Sequence, residues 1–171
     1  MKLSEAWIEH QAMSEEFRGI WDTGLELESP LLRAFLSYWR GKAGPEGLPA
    51  RSDFDPVEMK RFLGNLFLVV PEKELDDFRY SLIGTKITDH VGIDNTGRTV
   101  GDVFGQPGLE LYRSVRDERR PIRVHGFVEW RQKEFLSYES VILPLSDDAV
   151  NVNHFVGAMV FGGAETDLET V

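Results

Sequence analysis

A chain of 171 residues that is 42% hydrophobic and 28% charged has the apolar content for one folded domain with a buried core. Its net charge of −10 disfavours nonspecific binding to nucleic acid or to an anionic membrane surface, because a polyanion repels it. Cysteine is absent, which removes disulfides, thiolate nucleophiles and thiolate zinc sites.

The N-terminus carries Glu5, Glu9, Glu15 and Glu16 where a signal peptide needs an apolar run, and no window reaches the roughly 18 apolar residues of a membrane span. A cytoplasmic location is expected. Residues 2–21 place Leu3, Trp7, Met13, Phe17, Ile20 and Trp21 at helical spacing, which predicts an amphipathic helix. Its apolar stripe either packs on its own domain or meets a partner subunit, and the pattern leaves both open. On the second reading Trp7, Phe17 and Trp21, with Trp39 further along, form an interface, and the protein is a homodimer.

Ser29-Pro30 reads as a helix start, a hydroxyl at the N-cap followed by proline at the first helical position. Leu32, Phe35, Leu36 and Trp39 share one face, and Gly41 ends the run. A Gly- and Pro-rich loop covers residues 41–53. Asp55-Pro56 opens a second capped helix bearing Val57, Met59, Phe62 and Leu63. The apolar run from Leu66 to Val70 predicts a buried strand, stopped by Pro71. A charged turn then leads to a strand over 78–84, which makes a hairpin.

At Gly84-Thr85 the alternation stops. Thr85 can cap a short helical turn through Ile87, His90 and Val91, and Gly92, Gly97 and Gly101 punctuate a compact linker. A strand falling into glycine-spaced short helices builds a concave wall suited to a small-molecule pocket. Pro107-Gly108 starts a helix bearing Leu109, Leu111, Tyr112 and Val115. Three strands follow, over 122–133, 135–145 and 155–161. Short links within each group of strands imply antiparallel pairing, so the class is α+β. The expected division is a helical extension and lead-in over 1–64, a core over 65–163 and an acidic tail over 164–171.

The segment Tyr80-Ser81-Leu82-Ile83-Gly84-Thr85, the following Gly92, Asp94, Gly97 and Arg98, and the closing Gly101-Asp102-Val103-Phe104 resemble the PAS sensor-domain family. The earlier block of Tyr38-Trp39 and residues 48–56, Leu-Pro-Ala-Arg-Ser-Asp-Phe-Asp-Pro, is similar to the entry of a bacterial subfamily with a lone PAS core behind helical lead-in segments. The two blocks come in the expected order, and the resemblance covers residues 30–163. It implies a five-stranded antiparallel sheet with helices packed on one face, preceded by N-terminal helices. It also implies a pocket lined by the inward faces of strands and middle helices, with Tyr80, Leu82, His90, Phe104, Tyr112, Val124 and Tyr138 as the candidate ligand-binding residues. Tyr80 and Tyr138 point best, since a buried hydroxyl needs a partner. The competing reading is that these side chains fill the cup themselves.

The cofactor is left unknown. Cysteine-adduct photosensing is excluded by composition, and the helix that supplies a histidine in haem-binding members of the resembled family has none here, Tyr112 being the nearest donor. The four histidines at 10, 90, 125 and 154 show no metal-binding spacing; His125 and Glu129 share a strand face, which by itself reads as a solvated surface. No nucleophile, phosphate-loop or kinase motif is present. Three functions follow. The first is a noncatalytic sensory or regulatory module of bacterial signal transduction, binding an unknown small molecule and passing its output to a separate signalling protein. The second is a ligand-free interaction adaptor. The third is a cone-fold enzyme of isomerase or dehydratase type, which needs a converging acid–base pair such as His90 with Asp89 or Asp94.

Overall fold

The computed structural model describes residues 11–12, 17–45, 47–130 and 134–162. Its centre is an antiparallel sheet of seven strands: β1 (Gln11–Ala12), β2 (Phe17–Asp22), β3 (Leu66–Glu72), β4 (Asp77–Ile83), β5 (Ile122–Trp130), β6 (Glu134–Leu145) and β7 (His154–Phe161). They lie in the order β1-β2-β5-β6-β7-β3-β4. The β3–β4 hairpin and the β5–β6–β7 meander are the two groups expected from the sequence. Their junction is the β3–β7 pairing, in which Leu66 lies opposite Ala158 and Val69 opposite Phe155.

Five strands were expected, and among the described residues two more are present. Residues 17–22 are a strand and not the end of a helix. They pair with β5 from Phe17 opposite Val128 to Asp22 opposite Arg123. The open edge of β5 offers a row of backbone partners, and Phe17, Ile20 and Trp21 suit a strand as well as a helix, so tertiary pairing overrides the helical spacing. The remainder of the expected helix falls largely on residues 1–10 and 13–16, Trp7 among them, outside the described residues.

Helix α1 (Pro30–Lys42) starts where the sequence places it. Ser29 is the N-cap, its hydroxyl accepting from the Leu32 amide at 3.1 Å, and Pro30 occupies the first helical position. Leu31, Leu32 and Phe35 are fully buried. Each contributes about 2 kcal/mol of burial. They pack on the sheet face that carries Val141, Leu143, Leu145, Val156 and Val160. The lead-in helix therefore covers the back of the sheet, while the core helices cover the front. Both faces of β7 and of β6 over residues 141–145 are buried, which explains the apolar runs there.

Residues 55–62 form successive turns, not the second regular helix expected. Lys60, Phe62 and Leu63 donate to carbonyls three residues back, the tighter 3-10 pattern. Met59 and Phe62 are buried against α1, whereas Val57 is 80% exposed. Glu58 is drawn to α1, accepting from the Tyr38 hydroxyl at 2.8 Å and pairing with Lys42 at 3.0 Å.

The two helices on the front face are α2 (Thr85–Val91) and α3 (Val100–Glu118). Thr85 is the first residue of α2, and Gly84 is its N-cap. Thr99 caps α3 through the Asp102 amide, and the helix breaks at Gly105, whose φ of 66° only glycine adopts without strain. Pro107 then sits in the first turn of the second segment, where it costs no hydrogen bond. Among the described residues no helix is long and apolar enough to cross a membrane.

Candidate functional site

Between the front face of the sheet and α2–α3 lies a cavity of about 80 Å³. Each wall follows from a local pattern. The sheet contributes Phe67, Tyr80, Val124, Met159 and, at alternate positions of β6, Tyr138, Ser140 and Ile142. Helix α2 contributes Ile87 and Val91, one turn apart. Val103 and Phe104 precede the break in α3, and Gly108, Leu111 and Tyr112 follow it. Ile93, 47% exposed, and the buried Asn95 belong to the linker and complete the lining.

Of the seven residues expected to bind a ligand, Tyr80, Phe104, Tyr112, Val124 and Tyr138 line this cavity. Leu82 does not: it is 43% exposed. The cause is a bulge in the β3–β4 ladder, where Leu68 faces Leu82 but the next residue, Val69, faces Tyr80. Ser81 is the extra residue, the alternation flips across it, and Ile83 takes the inward place expected of Leu82. His90 is also elsewhere. Its ring stacks on Phe161 at 4.5 Å, and its Nδ1 contacts the Lys86 carbonyl at 2.7 Å, one turn back on α2.

Of the lining that sequence reading missed, two groups are instructive. Ser140 and Ile142 continue the period of two from Tyr138, so that signal was available. Ile83, Asn95 and Met159 depend on the bulge, the linker path and the pairing of distant strands, none of which local pattern shows. The interface candidates are placed differently. Trp21 and Trp39 are 3% and 7% exposed, in the front and back cores of their own chain, with Trp39 Nε1 donating to the Pro144 carbonyl at 3.0 Å. Neither offers its ring to a partner. Phe17 lies on β2 by its backbone pairing.

The electrostatics are those of a largely apolar site. Burial pushes the hydroxyls of Tyr80, Tyr112 and Tyr138 well above the ordinary tyrosine pKa, and for Tyr80 a hydrogen bond with Tyr112 opposes this only in part. Tyr80 packs edge-on against Phe67 and Phe104, with centroids 6.3 and 6.4 Å away, and Tyr112 against Phe155 at 5.2 Å. Among the described residues, no lining side chain is a carboxylate, imidazole, amine or guanidinium. The pair proposed for an enzyme does not converge there, since Asp94 is exposed and bonded to Thr96 at 2.6 Å while His90 stacks elsewhere. Among the described residues no three His, Asp or Glu side chains gather as a metal site.

A pH dependence follows. With the folded tyrosines held protonated, the unfolded chain loses protons first as pH rises past about 10. Stability is then fully present below that pH and should fall above it, by up to about 1.4 kcal/mol per pH unit for each buried tyrosine. Urea unfolding at roughly pH 9 and roughly pH 11 measures the fall, and Tyr138→Phe should reduce it. Equal slopes in the two proteins would show that Tyr138 ionises freely in the fold.

A family model described as PAS domain matches residues 27–160. Similar solved structures include a light-oxygen-voltage domain studied with a flavin analogue, at 14% identity, covering 66% of this chain and 87% of that one, with a TM-score of 0.49. An RNA-binding light-oxygen-voltage receptor matches at 13% identity over 67% of this chain and 35% of its own, with a TM-score of 0.47. The PAS domain of BvgS from Bordetella pertussis matches at 16% identity over 68% of this chain and 93% of its own, with a TM-score of 0.44. None of the curated proteins compared matches the chain.

Proposed function

The chain belongs to the PAS domain family, and we propose that it is a sensory or regulatory module that admits a small molecule to the cavity between its sheet and α2–α3. The observation that carries this reading is the cavity itself: apolar walls into which three buried tyrosines, Ser140 and Asn95 bring a few polar atoms. A largely apolar enclosure with sparse polar groups is how small-molecule sites are built. Among the described residues the site brings no acid and base together, which favours recognition over catalysis. On this reading occupancy is relayed to a separate signalling protein.

Native mass spectrometry of the freshly purified protein, beside a Val124→Phe variant, tests the proposal. Val124 is 4% exposed on the cavity wall, and a phenylalanine there would take up much of the space. A noncovalent adduct on the wild type that is missing from the folded variant supports the sensor. An adduct retained equally by both proteins would move the site elsewhere. A bare wild-type chain that no small-molecule panel stabilises thermally would favour the ligand-free adaptor.

A further inference from the structure

Resting on that reading of the cavity as a ligand site, we infer that its ligand is an uncharged molecule no larger than about one six-membered ring, carrying one hydrogen-bonding group. A phenol has this chemistry; a benzoate or a benzylamine does not.

Size is the first constraint. A cavity needs roughly 10–15 Å³ to hold one water, and an engineered apolar cavity of about 150 Å³ in another protein holds benzene. At about 80 Å³, this one has room for several water-sized groups, and small shifts of Phe104 or Met159 would admit a single ring. Sites for larger ligands run to roughly 300–1,000 Å³. The three fused rings of a flavin and the macrocycle of haem exceed this volume, and among the described residues no lining side chain is an imidazole or thiolate.

Charge is the second constraint. An ion placed here would lose part of its water and meet no opposite charge among the described lining residues, and an unpaired buried ion costs several kcal/mol. Two charged groups beside the wall do not line it, and each is held by neutral hydrogen-bond partners. Asp77 accepts from the amides of Phe78 and Gly101, and Arg98 donates to Asn95 Oδ1 at 2.9 Å. The lining offers a neutral ligand what it needs instead. Edge and face contacts from Phe67, Tyr80 and Phe104 suit a ring, and the hydroxyls on the wall suit one polar group.

The test is a titration of the whole chain with phenol, benzoate, benzylamine and benzene, followed by NMR of the Met159, Ile87 and Ile142 methyl groups. Saturable phenol shifts at these methyls are expected, with benzoate and benzylamine binding at least tenfold more weakly and benzene more weakly than phenol. Because the methyls locate the ligand in the wild type, the result stands whether or not Val124→Phe folds. Charged probes that shift the same methyls as strongly as phenol would overturn the inference while leaving the ligand site intact. Benzene equal to phenol would overturn its hydrogen-bonding part. If neither the four probes nor xenon move these methyls, the inference and the sensor reading both fail.

Discussion

Replacing Glu139 with alanine is expected to cost about 3–5 kcal/mol of stability, the range for breaking a buried ion pair from one side. Glu139 lies on β6 with 8% of its surface exposed. Its carboxylate accepts from the amides of Glu28 and Ser29, each at 2.8 Å, and from Arg123 Nε at 2.7 Å. Arg123, on β5, has an 11% exposed side chain and reaches Asp22 of β2 at 3.5 Å. One side chain thus ties the entry of α1 to the sheet and to the added strand. The alanine variant would leave a guanidinium and two backbone amides short of an acceptor in a site with little water, and each such group carries its full desolvation cost. Urea unfolding measures the effect directly. Glu139→Gln, which keeps an acceptor but loses the charge, should fall between wild type and alanine. A loss below about 1 kcal/mol for Glu139→Ala would mean that water reaches Arg123 freely and that the network is ornamental.

Gly84→Ala should be the other severe change, costing about 3 kcal/mol or more, beyond ordinary overpacking because the obstacle is backbone. Gly84 has ordinary extended torsions, so conformational freedom is not the reason for glycine here. Space is. A Cβ at this position would strike the carbonyl oxygens of Gly64 and Leu63, which no rotamer change can move aside. The Gly84 amide also donates to the Leu66 carbonyl at 2.7 Å, holding the end of β4 against the start of β3. Pushing this junction apart would displace α2 and, with Ile87 and Val91, one wall of the cavity. A fall in Tm of about 10 °C is expected for that loss at this chain length, together with loss of phenol-induced methyl shifts. A variant with wild-type Tm would show that the 63–64 turn yields easily.

These two residues also mark how far the sequence could be read. The glycine ending Tyr-x-Leu-x-Gly-Thr stood out as punctuation, and the motif around it led to the family and to Tyr80. Its steric role was hidden, because the carbonyls it abuts lie twenty residues earlier in the chain. Glu139 gave no signal at all. It looks like a polar residue alternating outward on a strand, and its partners at positions 28 and 29 are more than a hundred residues away. Leu82 is the instructive error: alternation was the right rule, but one extra residue, Ser81, reversed it.

By itself the sequence determined whatever depends on neighbours in the chain. The serine–proline start of α1, the β3–β4 hairpin, the glycine-spaced fall from strand to helix, the three closing strands and the inward tyrosines at 80, 112 and 138 all follow from capping, turn chemistry and period, which act within a few residues. Only the tertiary structure decided which edges and faces found each other. It drew residues 17–22 into the sheet as β2, set α1 on the back of β6 and β7, buried Trp21 and Trp39 within their own chain, and limited the cavity to about 80 Å³. Strand pairing and close packing join residues far apart in sequence, and their energies depend on shapes that no local pattern specifies.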